Sequence, residues 1–229
     1  MATTVKIKDY DGVQRSYAVN KGIRLANADG TGFETFTQDG GGSNAALLGV
    51  LDGTVTQLTA QDLAGLTELA PYSLQHLQNL YSLELPSGFL TVGESACDSI
   101  ATLSTVIFPA SLTTVDSGAF MYTSIASVVL GDSVTNISHY AFASCSLLQS
   151  VTIGSGLSSL AKTAFWYCGN MEAFAIDAVT PPTITGDTVD MLFEGCTSLT
   201  AIYVQSASVN AYKTAYGWSD YASIIQAKP

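Results

Sequence analysis

Few side chains in this sequence could carry chemistry, and the cysteines are the most prominent of them. Cys145, Cys168 and Cys196 occupy one column of a repeated pattern, and Cys97 takes a neighbouring slot. None of their spacings is Cys-x-x-Cys, so the common zinc motif is missing. Stacked coils lie roughly 4.7–4.9 Å apart, which keeps a Cys145–Cys168 disulfide within reach. Because stacked side chains point the same way, we expect a ladder of buried thiols instead.

The histidines and the short motifs do not form a catalytic or metal-binding set. His76 and His139 lie in different repeats, without cysteine or carboxylate at metal-ligand spacing. The Asp-x-Asp-Gly segment at 9–12 lacks the downstream glutamate of a calcium loop and predicts a hairpin turn. The segment 154–156 predicts a turn between strands, and no phosphate-binding glycine pattern is present. We therefore predict a non-enzymatic protein, with no catalytic residue, no cofactor and no metal.

These residues are positioned by an internal repeat. Its strand-opening apolar residue recurs at steps of 23, 22, 23, 23 and 28 residues, which is the range of solenoid repeats. A second apolar column and an aromatic corner column keep the same register, so we predict a β-rich solenoid of short parallel strands with short helical or 3₁₀ corners. The three columns are Leu80, Leu103, Ile125, Leu148, Met171 and Leu199; Val92, Val115, Ile137 and Leu160; and Phe120, Phe142, Phe165 and Phe193, with Leu74 and Cys97 in earlier copies.

The chain divides into three parts by composition. Residues 1–38 alternate apolar and polar around an Asp-Gly turn and predict a small antiparallel β unit for docking or oligomerisation. Residues 39–44 form a Gly-rich linker. Residues 45–227 form the solenoid, with a C-terminal cap at about 206–227, in which Ser208 is the expected N-cap and Gly217 the expected C′ residue. The sixth copy carries an insertion, which we place at 180–186.

The charge distribution narrows the choice of partner. The formal net charge is −11, and after residue 24 the only basic residues are Lys162, Lys213 and Lys228. Nucleic acids and anionic membranes need clustered Lys and Arg, so neither is expected as a partner. No apolar run is long enough to cross a bilayer, and the polar start predicts no signal peptide in this chain.

The repeat 103–120, LSTVIFPASLTTVDSGAF, resembles the BspA-like (treponemal-type) leucine-rich repeats of bacterial surface proteins. The segments 163–168 (TAFWYC) and 193–199 (FEGCTSL), and the ending SVNAYKTAYGWSDYASII, resemble that family too. The resemblance implies a right-handed solenoid, often secreted or attached to the cell surface, that binds host or matrix proteins. The family also appears in prophage and virion-associated proteins, so an extracellular or a virion location is expected.

Two function classes follow from this resemblance and from the residues. The first is an adhesion module that presents a solenoid face to a protein or glycan on another surface. The second is a structural component of a larger assembly, such as a virion, docked or oligomerised through residues 1–38. Candidate contact residues on the outward strand column are Ile107, Val129, Thr152 and Tyr203, although β-branched residues also favour strands wherever they face. On the corner they are Trp166 and Tyr167, for a sugar or a protein, with local packing as the alternative.

Overall fold

The computed structural model describes residues 55–75, 77–186 and 192–229, and before residue 55 the backbone of five short strands. Strands β1 (Thr4–Lys8) and β2 (Gln14–Ala18) pair antiparallel, as do β3 (Ile23–Ala26) and β4 (Phe33–Phe36). This agrees with the antiparallel unit predicted from the alternating pattern. The expected turn at 9–12 and the linker at 39–44 lie outside the described residues, and the division into domains stays a prediction.

From β5 (Ala46–Leu47) onward the strands pair in parallel and form two sides of a solenoid. The back side is one seven-stranded sheet. Its further members are β7 (Glu68–Leu69), β9 (Thr91–Val92), β11 (Thr114–Val115), β13 (Asn136–Ile137), β15 (Ser159–Ala161) and β17 (Thr183–Thr185). The front side holds β6 (Gln57–Leu58), β8 (Ser82–Glu84), β10 (Thr105–Ile107), β12 (Ser127–Leu130), β14 (Ser150–Ile153), β16 (Ala173–Ile176), β18 (Ala201–Val204) and β19 (Ile225–Ala227).

Each coil of the solenoid consists of a front strand, a back strand and a corner. We number them coil 1 (57–79), coil 2 (80–102), coil 3 (103–124), coil 4 (125–147), coil 5 (148–170) and coil 6 (171–198). The second apolar column predicted from the sequence is the backbone register of the back sheet, since Val92, Val115, Ile137 and Leu160 are paired in that order. All four side chains are fully buried. The solenoid and its register are therefore confirmed.

The front side is interrupted between coils 3 and 4. Its strands form a three-stranded sheet, β10-β8-β6, and a five-stranded sheet that begins at β12. Coil 3 is one residue shorter than its neighbours, and the missing residue falls in the corner between Thr123 and Ile125. The shorter corner brings the chain to the front one residue early, so β12 does not pair with β10. The expectation of one continuous strand surface is wrong at this point.

The insertion in coil 6 lies later than the sequence suggested. Residues 183–185 form strand β17, and Ile184 pairs with Leu160 as a regular member of the back sheet. The extra residues of coil 6 therefore fall mainly between Ile184 and Phe193, where 187–191 lie outside the described part of the chain. The Pro-Pro dipeptide at 181–182 precedes a strand, which is a position that proline tolerates.

A column of phenylalanine rings runs through the corners. Phe142 lies between Phe120 and Phe165, with ring centroids 5.4 Å apart on both sides and interplanar angles of 7° and 4°. All three rings are fully buried. The stack continues through Phe174 and Phe193 in coil 6. Offset stacking of this kind joins each coil to the next, in addition to the strand hydrogen bonds.

The C-terminal cap covers the last coil with bulky aromatic side chains. Helix α1 (Val209–Thr214) begins after Ser208, as predicted, but the hydroxyl of Ser208 makes no capping hydrogen bond and is buried without a partner. The helix ends at Thr214, so Tyr216 is 63% exposed instead of sharing the buried face of Tyr212. Trp218 is fully buried and lies 4.9 Å from the Tyr212 ring. The cap is a lid over the core, as its composition suggested.

The ring column predicts the effect of a truncation in its middle. Phe142→Ala removes a ring that is packed between two others, so it should lower the free energy of unfolding by about 3–5 kcal/mol. Denaturant melts followed by circular dichroism measure the change. Tyr122→Ala, which truncates an exposed ring of the preceding corner, is the control and should cost less than about 1 kcal/mol. A small loss for Phe142→Ala would contradict the importance of the stack.

Candidate functional site

The outward residues of β10, β12, β14, β16 and β18 form the surface that we call the front face. Ile107 and Val129 are 52% and 64% exposed, so both side chains point away from the core. Thr152 and Tyr203 share the column of Val129 and are half-buried. The structure thus places the four strand candidates outward. Ile107 lies on the other side of the interruption, on the last strand of the shorter sheet.

The front face carries no charged side chain within its strands. From β10 to β18, where every strand residue is described, the outward side chains are aliphatic, hydroxyl-bearing or aromatic. They are Thr105, Ile107, Ser127, Val129, Ser150, Thr152, Ala173, Ala175 and Tyr203. A chain with net charge −11 has enough acidic residues to cover such a surface. Their exclusion from these strands is typical of the centre of a binding interface.

The corners present a second surface, built on backbone that is unusual for their residues. Each of the corners in coils 1 to 5 holds one or two residues with positive φ, and four of these residues are tyrosines. Tyr72, Tyr122, Tyr140 and Tyr167 have φ between 57° and 60° and are 42–53% exposed. Equivalent positions in other coils hold serine or glycine, such as Ser99 and Gly195. The left-handed conformation is unfavourable for a side chain with a Cβ atom, so the fold itself does not call for tyrosine.

Aromatic rings from successive coils meet on this surface, and we call Tyr122, Tyr140, Trp166 and Tyr167 the aromatic corner. The Tyr140 and Trp166 ring centroids lie 6.1 Å apart at 81°. Trp166 and Tyr167 lie 4.3 Å apart at 63°. The structure thus brings together the two predicted corner residues and adds tyrosines that the sequence analysis did not select. The positions of Tyr122 and Tyr140, two residues after or before the corner Phe, could have revealed them.

The polar groups beside the aromatic corner are few. His139, whose ring lies 6.4 Å from that of Tyr140, has its Nδ1 3.0 Å from the Thr163 hydroxyl. Lys162 is only 5% exposed, and its ammonium group lies 5.1 Å from the centroid of the Tyr216 ring. His139 is thus held by a hydroxyl partner within the corner, while His76 lies outside the described residues. Neither histidine is placed for metal binding by what the structure describes.

The cysteine column is a ladder of thiols along the inner side of the corners. The Sγ atoms of Cys145, Cys168 and Cys196 each donate to a carbonyl oxygen of the coil before, at 3.1–3.2 Å. The acceptors are Phe120, Phe142 and Phe165. Thr123, the member of this column in coil 3, also donates to the Phe120 carbonyl, at 2.9 Å. Cysteine and threonine therefore share the column because both are small and both have a donor for a buried carbonyl.

Burial makes these thiols poor nucleophiles. It raises the pKa of Cys97 well above its usual range and that of Cys196 to about 11. The neighbouring thiol of Cys145, together with burial, raises the pKa of Cys168. Because the thiolate is the reactive form, these groups stay protonated and unreactive at neutral pH. All four cysteines are free in the structure.

The described part of the chain offers no other chemical centre. It contains no group of three His, Cys, Asp or Glu side chains placed to hold a metal ion. Its helices are all too short and too polar to cross a membrane. What remains for function is contact through the front face and the aromatic corner.

The thiol ladder predicts that the cysteines are protected in the native protein. At pH 8 the folded chain should react with less than one equivalent of a thiol reagent such as DTNB, because all four side chains are buried and protonated. In guanidinium chloride all four should react. Ser127→Cys, on the exposed front face, is the positive control and should add one prompt equivalent. Prompt reaction of the unmodified folded chain, or fewer than four thiols after unfolding, would contradict the ladder.

The left-handed tyrosines predict an unusual gain of stability. Tyr122→Gly should raise the free energy of unfolding by about 0.5–1 kcal/mol, because glycine adopts positive φ without strain. Tyr122→Ala keeps the Cβ atom and should give no such gain. Calorimetry or denaturant melts of both variants measure the difference. If the glycine variant is the less stable of the two, the ring of Tyr122 contributes to folding and is not a surface group.

Comparison with known proteins identifies the repeat. The family model described as the BspA type leucine rich repeat region matches residues 67–185 and 114–225, with six copies. Together these ranges span well over half of the 229 residues. No curated protein sequence matches the chain.

Several solved structures share the fold. The pneumococcal vaccine antigen PcpA is 20% identical, with a TM-score of 0.51 over 76% of this chain and 40% of PcpA. The leucine-rich repeat protein TpLRR of T. pallidum is 23% identical, with a TM-score of 0.44 over 69% of this chain and 79% of TpLRR. A leucine-rich repeat protein from Bacteroides ovatus is 14% identical, with a TM-score of 0.38 over 82% of this chain and 70% of its own. This chain thus spans 40% of PcpA, and at such identity PcpA shows the fold alone. By its repeats, the chain belongs to the BspA-type leucine-rich repeat family.

Proposed function

We propose that this protein is a non-enzymatic binding or adhesion module that holds a protein or glycan on another surface against its front face. Its repeat family is consistent with a binding module, and leucine-rich repeat proteins of this kind are typically not enzymes. Family membership alone does not assign a partner, because function lies in the surface that a fold presents.

The observation that carries the proposal is the absence of charge from the strands of the front face. Interfaces are depleted of charged residues at their centre, where a desolvated charge without a partner is costly. The acidic residues of the chain also keep it soluble, so an acidic protein loses solubility by leaving a large surface uncharged. A need to contact another molecule accounts for both facts.

The preference of β-branched residues for strands is a competing account of the same residues. It explains why Ile107 and Val129 are found in strands. It does not explain why both are more than half exposed, or why exposed strand positions that tolerate lysine or glutamate hold none from β10 to β18. Exposed apolar side chains that adjoin one another are typical of partner sites.

A matched pair of substitutions tests the front face. Val129→Lys places a charge in the middle of the surface, and Val179→Lys makes the same change at a residue of similar exposure, 67% against 64%, outside the strands. The unmodified full chain and both variants are passed over immobilised matrix proteins (fibronectin, laminin, collagen) and a glycan array. We expect Val129→Lys to weaken a detected interaction at least about tenfold, and Val179→Lys to change it less than about twofold.

Two results would count against this function. One is that the unmodified chain binds no component of either panel. The other is that the two lysine variants lose affinity equally, which would show that any added charge disturbs binding. Thermal melts of both variants exclude unfolding as the cause, since surface substitutions usually change stability by less than about 0.5 kcal/mol.

A further inference from the structure

We propose that the aromatic corner is a second binding site, separate from the front face, and that its ligand is a neutral glycan. The site consists of Trp166 and Tyr167 in coil 5, Tyr140 in coil 4 and Tyr122 in coil 3. The proposal does not depend on the front face, because different residues and a different side of the solenoid carry it.

The first argument is that these tyrosines oppose the local backbone. Tyr122, Tyr140 and Tyr167 all have positive φ, which favours glycine, and the next coil has Gly195 at the position of Tyr167. Residues held in an unfavourable backbone conformation are concentrated at functional sites. Here the strain falls on exposed rings of one residue type, in three successive coils, which indicates selection for the ring and not for the turn.

The second argument is that the ring of Tyr167 is held in a fixed position. A Cβ atom on Gly195 would lie 2.7 Å from Cγ of Tyr167, so the ring occupies space that only glycine leaves open. The amide of Tyr167 donates to the carbonyl of Glu194 at 2.8 Å in the same coil as Gly195. On its other side the ring contacts Trp166, which in turn contacts Tyr140. A fixed ring loses little entropy when a ligand binds, so it is a preorganised contact.

The third argument is the spacing of the rings along the solenoid. Successive coils are roughly 4.8 Å apart, and an extended pyranose chain advances by a similar distance per sugar ring. Rings in coils 3, 4 and 5 can therefore contact consecutive sugars of one glycan chain lying along the axis. The C–H groups of a sugar carry partial positive charge and pack on the negative face of an aromatic ring.

The fourth argument concerns charge and selects a neutral glycan. Sugar hydroxyls need neutral donors and acceptors, which His139, Ser144 and Thr163 can supply. An acidic glycan needs exposed cations, but Lys162 is only 5% exposed and faces Tyr216, and the chain has net charge −11. Single-stranded nucleic acid also stacks on aromatic rings, but it needs a positively charged groove as well.

The two tryptophans of the chain make the site directly measurable. Trp218 is fully buried under the cap, whereas Trp166 is partly exposed in the aromatic corner. Titration of the full chain with neutral hexaoses of glucose, mannose or N-acetylglucosamine, in their common linkages, should blue-shift or quench the fluorescence. Trp166→Phe should remove this response. A heparin hexasaccharide, as the acidic probe, should give none.

The decisive variants form a matched pair. Tyr167→Gly and Tyr72→Gly remove tyrosines with the same backbone conformation and with exposures of 53% and 52%. Tyr72 lies in coil 1, far from the other rings, and its hydroxyl donates to Glu94. Both variants gain glycine where φ is positive, so both should fold at least as well as the unmodified chain.

We expect Tyr167→Gly to weaken glycan binding at least about tenfold and Tyr72→Gly to leave it unchanged. Val129→Lys should also leave it unchanged, which separates this site from the front face. The proposal is overturned if no neutral hexaose binds, if heparin binds better, or if Tyr167→Gly and Tyr72→Gly have equal effects. A protein ligand from the matrix panel that loses affinity in Tyr167→Gly, without glycan binding, would likewise assign the corner to another class of partner.

Discussion

The constraint on which this structure depends is that no coil can bury its own apolar edge. Strands of two to four residues are too short to be stable alone, so each coil requires the next one to cover it. The covering is done by three inward columns, of which the stacked rings of Phe120, Phe142 and Phe165 are the largest. Stability is then a sum of contacts between neighbouring coils, and the two ends need lids. The buried Trp218 and Tyr212 supply one of them.

The same constraint decides where chemistry is possible. Groups that could react, above all the cysteines, are drawn into the inward columns, where a thiol serves as a small donor to the carbonyl of the coil before. Burial that satisfies this carbonyl also raises the pKa of Cys168 and Cys196 and suppresses their reactivity. The residues free to vary are the outward columns. A function of this fold is therefore expected in the pattern that repeats across coils, more than in a single pocket.

The inward columns were predictable from the sequence because every coil repeats them. Leu160 pairs with Ile137, and Phe142 stacks on Phe120, as equal spacing requires. Departures from the repeat were harder to predict, since a spacing shows that a residue is lost or gained but not where. The shortened corner before Ile125 interrupts the front side, and the insertion of coil 6 lies beyond Ile184. The strained tyrosines of the corner were missed because a residue type does not reveal its φ angle.

The two outward surfaces differ in a way that bears on their use. The front face consists of side chains that strands favour in any case, so folding and binding both select for Val129 and its neighbours. The aromatic corner consists of side chains that its backbone disfavours, so folding selects against Tyr140 and Tyr167 there. A residue kept against the preference of its own backbone is stronger evidence of function than one kept with it. By this reasoning the corner, although smaller, is the more informative of the two surfaces, and the exchange of its tyrosines for glycine separates binding from stability.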